Sequence, residues 1–268
     1  MTEISASLVK ELRDATGAGM MECKKALVES GGDLEAAKRV LREKGLAQAG
    51  KRSSRETTEG RVLVRVDGSV GTIVGVGCET EPVSKNDEFL AFVEKVLDAV
   101  AAEGEDAVAG LEGERVELVA KLGENIVVRG AARLEAADGN ILGSYVHPPA
   151  QKIGVLVQLQ GGNEGIAREL AMQISFAAPG TLTRDEVPAE EVESEKQIYL
   201  NSDELVGKPE QAREKIVEGM LGKRFFARVP GGVLVDQAWS REASKSTGQV
   251  LTEAGAQVIA FERVALSE

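Results

Sequence analysis

The sequence predicts an α+β protein: an N-terminal bundle of three short helices, then two related units of antiparallel strands and helices. Three observations predict this. Apolar residues recur at helical spacing through the first 45 residues, interrupted by glycine-bearing turns. Residues 61–78 and 141–160 each carry two apolar runs around a turn. Each paired run then leads through a loop to a helical stripe, so one strand–strand–helix unit is written twice.

In the bundle, assigned to residues 1–45, Ser5 or Ser7 caps a first helix striped by Leu8, Val9 and Leu12. Thr16-Gly17-Ala18-Gly19 ends it, because glycine accepts the backbone angles of a tight turn. A second helix over Met20–Glu29 places Cys23, Ala26 and Leu27 on one face, and Gly31-Gly32 breaks it. Asp33 caps a third, with Leu34, Ala37, Val40 and Leu41 as its stripe. So small a bundle leaves apolar side chains near its surface. Met20 and Met21 are adaptable residues of the kind used at binding surfaces, although core packing explains such a position equally well. Residues 46–60, with Lys51, Arg52, Ser53, Ser54 and Arg55, read as a linker; a solvated hinge is preferred there over an RNA contact.

The first unit is assigned to 61–138. Its opening hairpin, RVLVRVDGSVGTIVGVGC, turns at Asp67-Gly68, and its helix carries Phe89, Leu90, Phe92, Val93 and Val96. A helix over Arg115–Leu122 and a strand over Asn125–Arg133 follow. In the second unit, 139–268, Ile153-Gly154-Val155-Leu156-Val157 answers Val70-Gly71-Thr72-Ile73-Val74, and Leu170, Ala171, Met172, Ile174 and Ala177 stripe the helix. A charged helical hairpin, residues 189–224, interrupts this unit around Gly207-Lys208-Pro209. Helices of about 16 residues would reach ~24 Å. The tail returns to strands at Val233-Leu234-Val235 and Gln257–Phe261, with a helix near Thr247–Glu253 between them.

Composition excludes more chemistry than any motif supplies. With 32 Lys+Arg against 44 Asp+Glu, the formal charge is -12, which repels phosphate backbones and argues against nucleic acid as the main partner. His147 is the one histidine and Cys23 and Cys78 are the two cysteines, too few for a zinc site. Any nucleophilic triad would have to pass through His147, for which a structural or solvent-exposed place is preferred. Two such thiols fit a reducing compartment. MTEISASLVKELRD has no signal-peptide pattern, and no run approaches the ~18 apolar residues of a membrane span. The expectation is a cytoplasmic protein without metal, cofactor, membrane contact or covalent catalysis.

Two glycine-bearing turns fail as phosphate loops. Thr16–Gly19 follows a helix, not a strand, and leads into Met20-Met21; Gly161–Gly165 lacks the lysine and reads as a turn with Asn163 as helix cap. Cys78–Glu88 gathers Glu79, Glu81, Asp87 and Glu88, without the alternating spacing of a calcium loop. A solvated loop on a rigid sheet is preferred there, and such loops are where recognition sits.

Three stretches resemble the bacterial elongation factor Ts family: LVKELRDATGAGMMECKKALVESGGDLEAAKRVLREKG (8–45), CETEPVSKNDEFLAF (78–92) and GSYVHPPAQKIGVLV (143–157). The match keeps order and spacing from residue 2 to about 264. It implies a ubiquitin-associated-like bundle, a linker and two related α+β subdomains, the second bearing the hairpin. It also implies guanine-nucleotide exchange on elongation factor Tu, bound both with GDP and nucleotide-free, with homodimerisation in the complex as an implied option. In the family a Thr-Asp-Phe-Val loop inserts its ring between helices of the GTPase and displaces the magnesium site. Here that loop is Thr80, Glu81, Pro82 and Val83: the carboxylate is kept one methylene longer, and the ring is replaced by a smaller, rigid proline, with Val83 as a lesser wedge. The resemblance places Leu12, Met20, Met21 and Gln173 at partner contacts, the last where the family often has histidine. Some relatives carry a further C-terminal helix on the GTPase; a chain ending at Glu268 implies more reliance on Met20 and Met21.

Two other readings compete without the resemblance. One is an adapter that binds a peptide or ubiquitin-like partner through the N-terminal bundle. The other is an acyl- or phosphate-handling enzyme using Gly161–Gly165 and His147.

Overall fold

The computed structural model describes residues 4–267, apart from the side chain of Gln48. Its N-terminal part is three helices, α1 (Ala6–Thr16), α2 (Met20–Glu29) and α3 (Leu34–Arg52). The caps are those the sequence predicts: Ser5 Oγ accepts from Leu8 N at 3.2 Å, and Asp33 Oδ1 accepts from Ala36 N at 2.8 Å. Gly17 ends α1 in the left-handed conformation, φ 67°. Val9, Leu12, Cys23, Ala26, Leu27 and Ala37 form the bundle's core.

The third helix corrects the expected boundary at 45. It runs through Gly45 and Gly50 to Arg52, so most of the expected linker's first half is helical and only 53–58 lie outside helix and strand. Each helical glycine costs about 1 kcal/mol against alanine, and tertiary packing outweighs this. A Cβ at Gly45 would meet Ala120 at 3.3 Å, so the glycine permits close helix contact. Ala49 is buried in the next core, and Arg52 Nη1 donates to Val119 O at 3.2 Å.

Strands β1 (Glu59–Asp67) and β2 (Val70–Cys78) form the predicted hairpin, with Gly68 at φ 57° in its turn. A single turn, α4 (Glu81–Ser84), leads into α5 (Asp87–Glu103); a 3₁₀ segment Glu105–Leu111, α6 (Glu112–Leu122) and β3 (Val127–Glu135) follow. The second unit holds β4 (Asn140–Val146), β5 (Ile153–Gly161) and α7 (Glu164–Ala177). Asn163 caps α7, its Oδ1 accepting from Ile166 N at 3.1 Å. After α8 (Ala189–Leu200), α9 (Glu210–Met220) and a wider-wound segment Leu221–Phe226 come β6 (Ala238–Trp239), β7 (Glu242–Ser246), α10 (Thr247–Glu253) and β8 (Ala256–Ala265).

The two units have the same plan. Antiparallel sheets of order β1-β2-β3 and β4-β5-β8 each centre on the strand followed by the main helix. Each central strand also shifts register against its third strand at the same position, between Gly75 and Val76 in β2 and between Gln158 and Leu159 in β5. One face of the first sheet is covered by α5 and α6 over Val74, Val76, Phe89, Val93 and Val119. Helix α7 covers one face of the second over Val155, Val157, Leu170 and Ile174, with Leu234, Trp239 and Leu251 completing that core. The opposite faces meet each other through Val62, Ile73, Ala132, Leu156 and Val264.

Two expectations in the second unit are corrected. Val233–Val235 is not a strand: only an isolated bridge joins Val233 to Thr181. Leu234 fills the α7 core while Val233 fills the hairpin core, so consecutive apolar residues serve two clusters and never form a ladder. The hairpin helices are 12 and 11 residues, about 16–18 Å at 1.5 Å per residue, because a 3₁₀ turn at Asp203–Leu205 ends the first early. Tyr199, Val217, Met220 and Phe225 lie among their shared apolar contacts. Among the described residues no helix is long and apolar enough to cross a membrane.

Candidate partner-binding surface

The loop after β2 is short, polar and fastened at its base. Glu124, between α6 and β3, receives three hydrogen bonds from it: Glu79 N and Thr80 N donate to Oε2 at 3.0 Å each, and Thr80 Oγ1 donates to Oε1 at 2.5 Å. Asn125 N donates to Glu79 Oε1 at 2.6 Å, and Arg55 Nη1 approaches the same oxygen at 3.3 Å. Bonds to a carboxylate are about twice as strong as neutral ones, so the base of the loop is the rigid part. Beyond it Glu81 and Pro82 are exposed, and Glu81 pairs with Lys85 at 2.7 Å. That hydrogen bond and charge hold the Glu81 carboxyl below its ordinary value. Val83 is half-buried and packs on the core under α5, so it is an anchor and not the lesser wedge the sequence suggested. Ser84 Oγ closes the turn on Glu81 O at 2.8 Å.

Cys78 sits directly beneath, its Sγ donating to Thr80 O at 3.3 Å. Burial, and after it the Glu124 carboxylate, push this thiol up to about 12; burial also raises Cys23. The thiolate is the reacting species. Both cysteines are therefore expected to resist a thiol reagent at about pH 8 in the folded protein and to react fully once denaturant is added. Prompt labelling of the native chain, followed by absorbance of the released reporter, would contradict that packing.

The four residues expected at partner contacts divide into two kinds. Met20 and Met21 are 58% and 63% exposed at the start of α2. Leu12 is fully buried in the bundle core and offers no surface. Gln173 is 1% exposed, and its amide is used internally: Nε2 donates to Ala238 O at 3.0 Å and Oε1 accepts from Ser240 N at 2.9 Å. Both are corrected from contact residues to supports, Leu12 of α2 and Gln173 of the β6–β7 ribbon. The exposed apolar residue on α7 is instead Phe176, at 69%, one turn beyond the half-buried Met172. Its signal was its position off the Leu170–Ile174–Ala177 stripe. Sequence reading also missed Glu124 and Asn125, whose partners lie more than 40 positions away.

His147 lies on the surface, its Nδ1 3.0 Å from Tyr145 Oη. A cleft of about 590 Å³ separates the bundle from α6. Its lining carries six cations against the three carboxylates of Glu22, Glu35 and Glu117; Lys38, Lys44 and Lys121 are paired with Glu35, Glu29 and Glu88, which leaves Lys25, Arg39 and Arg42 as a modest positive excess. The surface built from these residues is suited to holding another macromolecule, with exposed apolar side chains on one helix start and a braced polar loop.

The profile of the family described as Elongation factor TS matches residues 79–268. The elongation factor Ts of Escherichia coli (strain K12 / DH10B) is 43% identical over 272 residues, spanning 100% of this chain and 93% of that protein. Those of Citrobacter koseri and Shigella boydii serotype 18 align with the same identity and coverage.

Proposed function

The chain belongs to the elongation factor Ts family, and from that premise we propose that it is the guanine-nucleotide exchange factor of elongation factor Tu. A role in translation elongation comes with the family. The finer reading is that this chain binds the GDP-bound GTPase, distorts its magnesium and phosphate site, and stays bound to the nucleotide-free form until GTP loads. The observation that carries it is the braced loop, with Glu79 and Thr80 held by Glu124 while Glu81 and Pro82 project into solvent.

Such a factor need perform no covalent step. GDP in a GTPase of this kind is held by backbone amides, a lysine and Mg²⁺. A protein that binds better when this cradle is open shifts the equilibrium by its differential affinity and by no more than that. A rigid base matters because a loop that bends on contact distorts itself instead of its partner. Pro82 adds stiffness at the tip, since its ring fixes φ. The division of labour we propose gives the exposed face of α2 the grip on the GTPase domain, the Thr80–Pro82 segment the opening of the magnesium site, and the second unit a distal contact. It treats residues up to Arg52 as the gripping bundle, and 59–138 and 139–268 as the two units, in the cytoplasm.

The test is release of a fluorescent GDP from elongation factor Tu in a stopped-flow instrument with excess unlabelled nucleotide. Added protein is expected to accelerate release by orders of magnitude at saturation. Pro82→Gly, which removes the stiff apolar tip, is expected to lower the saturating rate about tenfold, a barrier change of ~1.4 kcal/mol. Binding without acceleration would leave the partner and remove the mechanism.

A further inference from the structure

Glu124 and Asn125 belong to no helix or strand, yet they join three segments distant in sequence. The Glu124 carboxylate takes the amides of Glu79 and Thr80 and the hydroxyl of Thr80. Asn125 is 2% exposed; its backbone N–H donates to Glu79 Oε1, and its Nδ2 donates to Arg55 O at 2.9 Å and Ser53 O at 3.4 Å. Ser53 is the residue that ends α3, the longest helix of the N-terminal bundle. The same two residues therefore tie the loop to the sheet and the bundle to the loop.

We propose that Glu124 and Asn125 are positioning residues for nucleotide exchange: Glu124 aims the Glu81–Pro82 tip, and Asn125 fixes its spacing from the bundle that carries Met20 and Met21. This rests on the exchange reading given above. The tip cannot aim itself. Helix α4 is a single turn of four residues, too short to be stable alone, and its Glu81–Lys85 pair is exposed and of a kind worth little. Its direction is set at one end by the backbone entering at Glu79 and Thr80, where both amides end on one carboxylate, and at the other by Val83 packed on the core. The bundle is held to the first unit by the close contact of Gly45 with Ala120 and the Arg52–Val119 hydrogen bond; the tie to the loop itself is made by Asn125, with the half-exposed Arg55–Glu79 ion pair beside it. Two contact surfaces held at fixed spacing bind one partner as a single site, because the second contact forms at high effective concentration.

The test uses the full chain with elongation factor Tu and labelled GDP, following release across a range of factor concentrations. Glu124→Ala is expected to lower the saturating rate about tenfold with less than roughly threefold change in the half-saturating concentration, since charge-assisted bonds are lost at the loop and not at the bundle. Glu124→Gln is expected to restore it, because a carboxamide oxygen accepts the two amides and its NH₂ donates to Thr80 Oγ1. Asn125→Ala is expected to raise the half-saturating concentration about fivefold and spare the saturating rate. Thr80→Val, which deletes the hydroxyl bond alone, is expected to lower the saturating rate about threefold and carries the test if Glu124→Ala fails to fold.

Amide hydrogen exchange of the free protein supplies a readout independent of the partner. Exchange at Glu79 and Thr80 should speed up about tenfold in Glu124→Ala and stay slow in Glu124→Gln. Freed amides with an unchanged saturating rate would overturn the proposal. So would Glu124→Gln exchanging GDP as poorly as Glu124→Ala while its loop amides stay protected, because the charge itself would then be acting on the partner. If the unaltered chain does not accelerate GDP release, the exchange reading fails and the proposal with it; slow amides at Glu79 and Thr80 would distinguish this from a loop that Glu124 does not hold.

Discussion

Gly154→Val is expected to destabilise the protein by about 3 kcal/mol, the upper end of the range for overpacked cores. At roughly 2–4 °C per kcal/mol for a chain of this size, the unfolding midpoint should fall by about 6–12 °C. Gly154 lies on β5 in the face that meets the first sheet. A Cβ there would collide with Val62 Cγ1 and crowd Val64 Cγ2 at 3.2 Å and Ile73 Cδ1 at 3.4 Å. The other sheet has matching gaps: a Cβ on Gly71 would meet Leu156 at 2.7 Å, one on Gly75 would strike Val264, and one on Gly130 would meet Val264 at 3.0 Å. The two sheets approach closely because small residues on each receive branched ones from the other. Gly113→Ala is the control, since its Cβ would meet nothing within 4 Å and alanine favours the helix by about 1 kcal/mol. Calorimetry that found Gly154→Val within ~2 °C of the parent, with Gly113→Ala at or above it, would mean that the sheets are not packed this way.

That interface shows what the sequence could and could not say. The duplication was legible: Ile153–Val157 answers Val70–Val74 residue for residue, and both lie in central strands with register shifts at equivalent places. Helix starts were legible because caps are local, as at Asp33 and Asn163. How far α3 runs was not, because Gly45 and Gly50 are helix-weakening and only the fold shows α6 packed against Gly45. Of the four residues expected at partner contacts, periodicity could have withdrawn Leu12 and Gln173. Leu12 lies on its helix's apolar stripe with Val9, and Gln173 lies one turn after Leu170 and two turns after Ile166, all on the buried face. A polar residue on that face is more readily a satisfied core amide than a ligand, and its bonds to the Ala238–Ser240 backbone bear this out. Glu124 and Asn125 were beyond reach for a different reason. Two adjacent polar residues before a strand look like any turn until chain closure brings residues 53–55 and 79–80 to them.

Met20→Asp combined with Met21→Asp is expected to weaken binding to elongation factor Tu roughly 30- to 150-fold. A fully buried methionine is worth about 1.5–3 kcal/mol, and each side chain here has close to 60% of its surface left to bury. Together they offer ~2–3 kcal/mol, which converts to that range of Kd. Aspartate is chosen because the substitutions fall in the first turn of α2, where negative charge favours the helix. Loss of affinity would therefore not come from loss of the bundle. The contrasting variant is Leu12→Ala: it creates a cavity beside Cys23, Ala26 and Leu27, and should cost about 2–5 kcal/mol of stability. If α2 is the grip, titration calorimetry should show the aspartate pair weakening binding at an unchanged unfolding midpoint, whereas Leu12→Ala should lower both together. An aspartate pair that binds as tightly as the parent would move the grip to the second unit, where Phe176 is the exposed aromatic on α7.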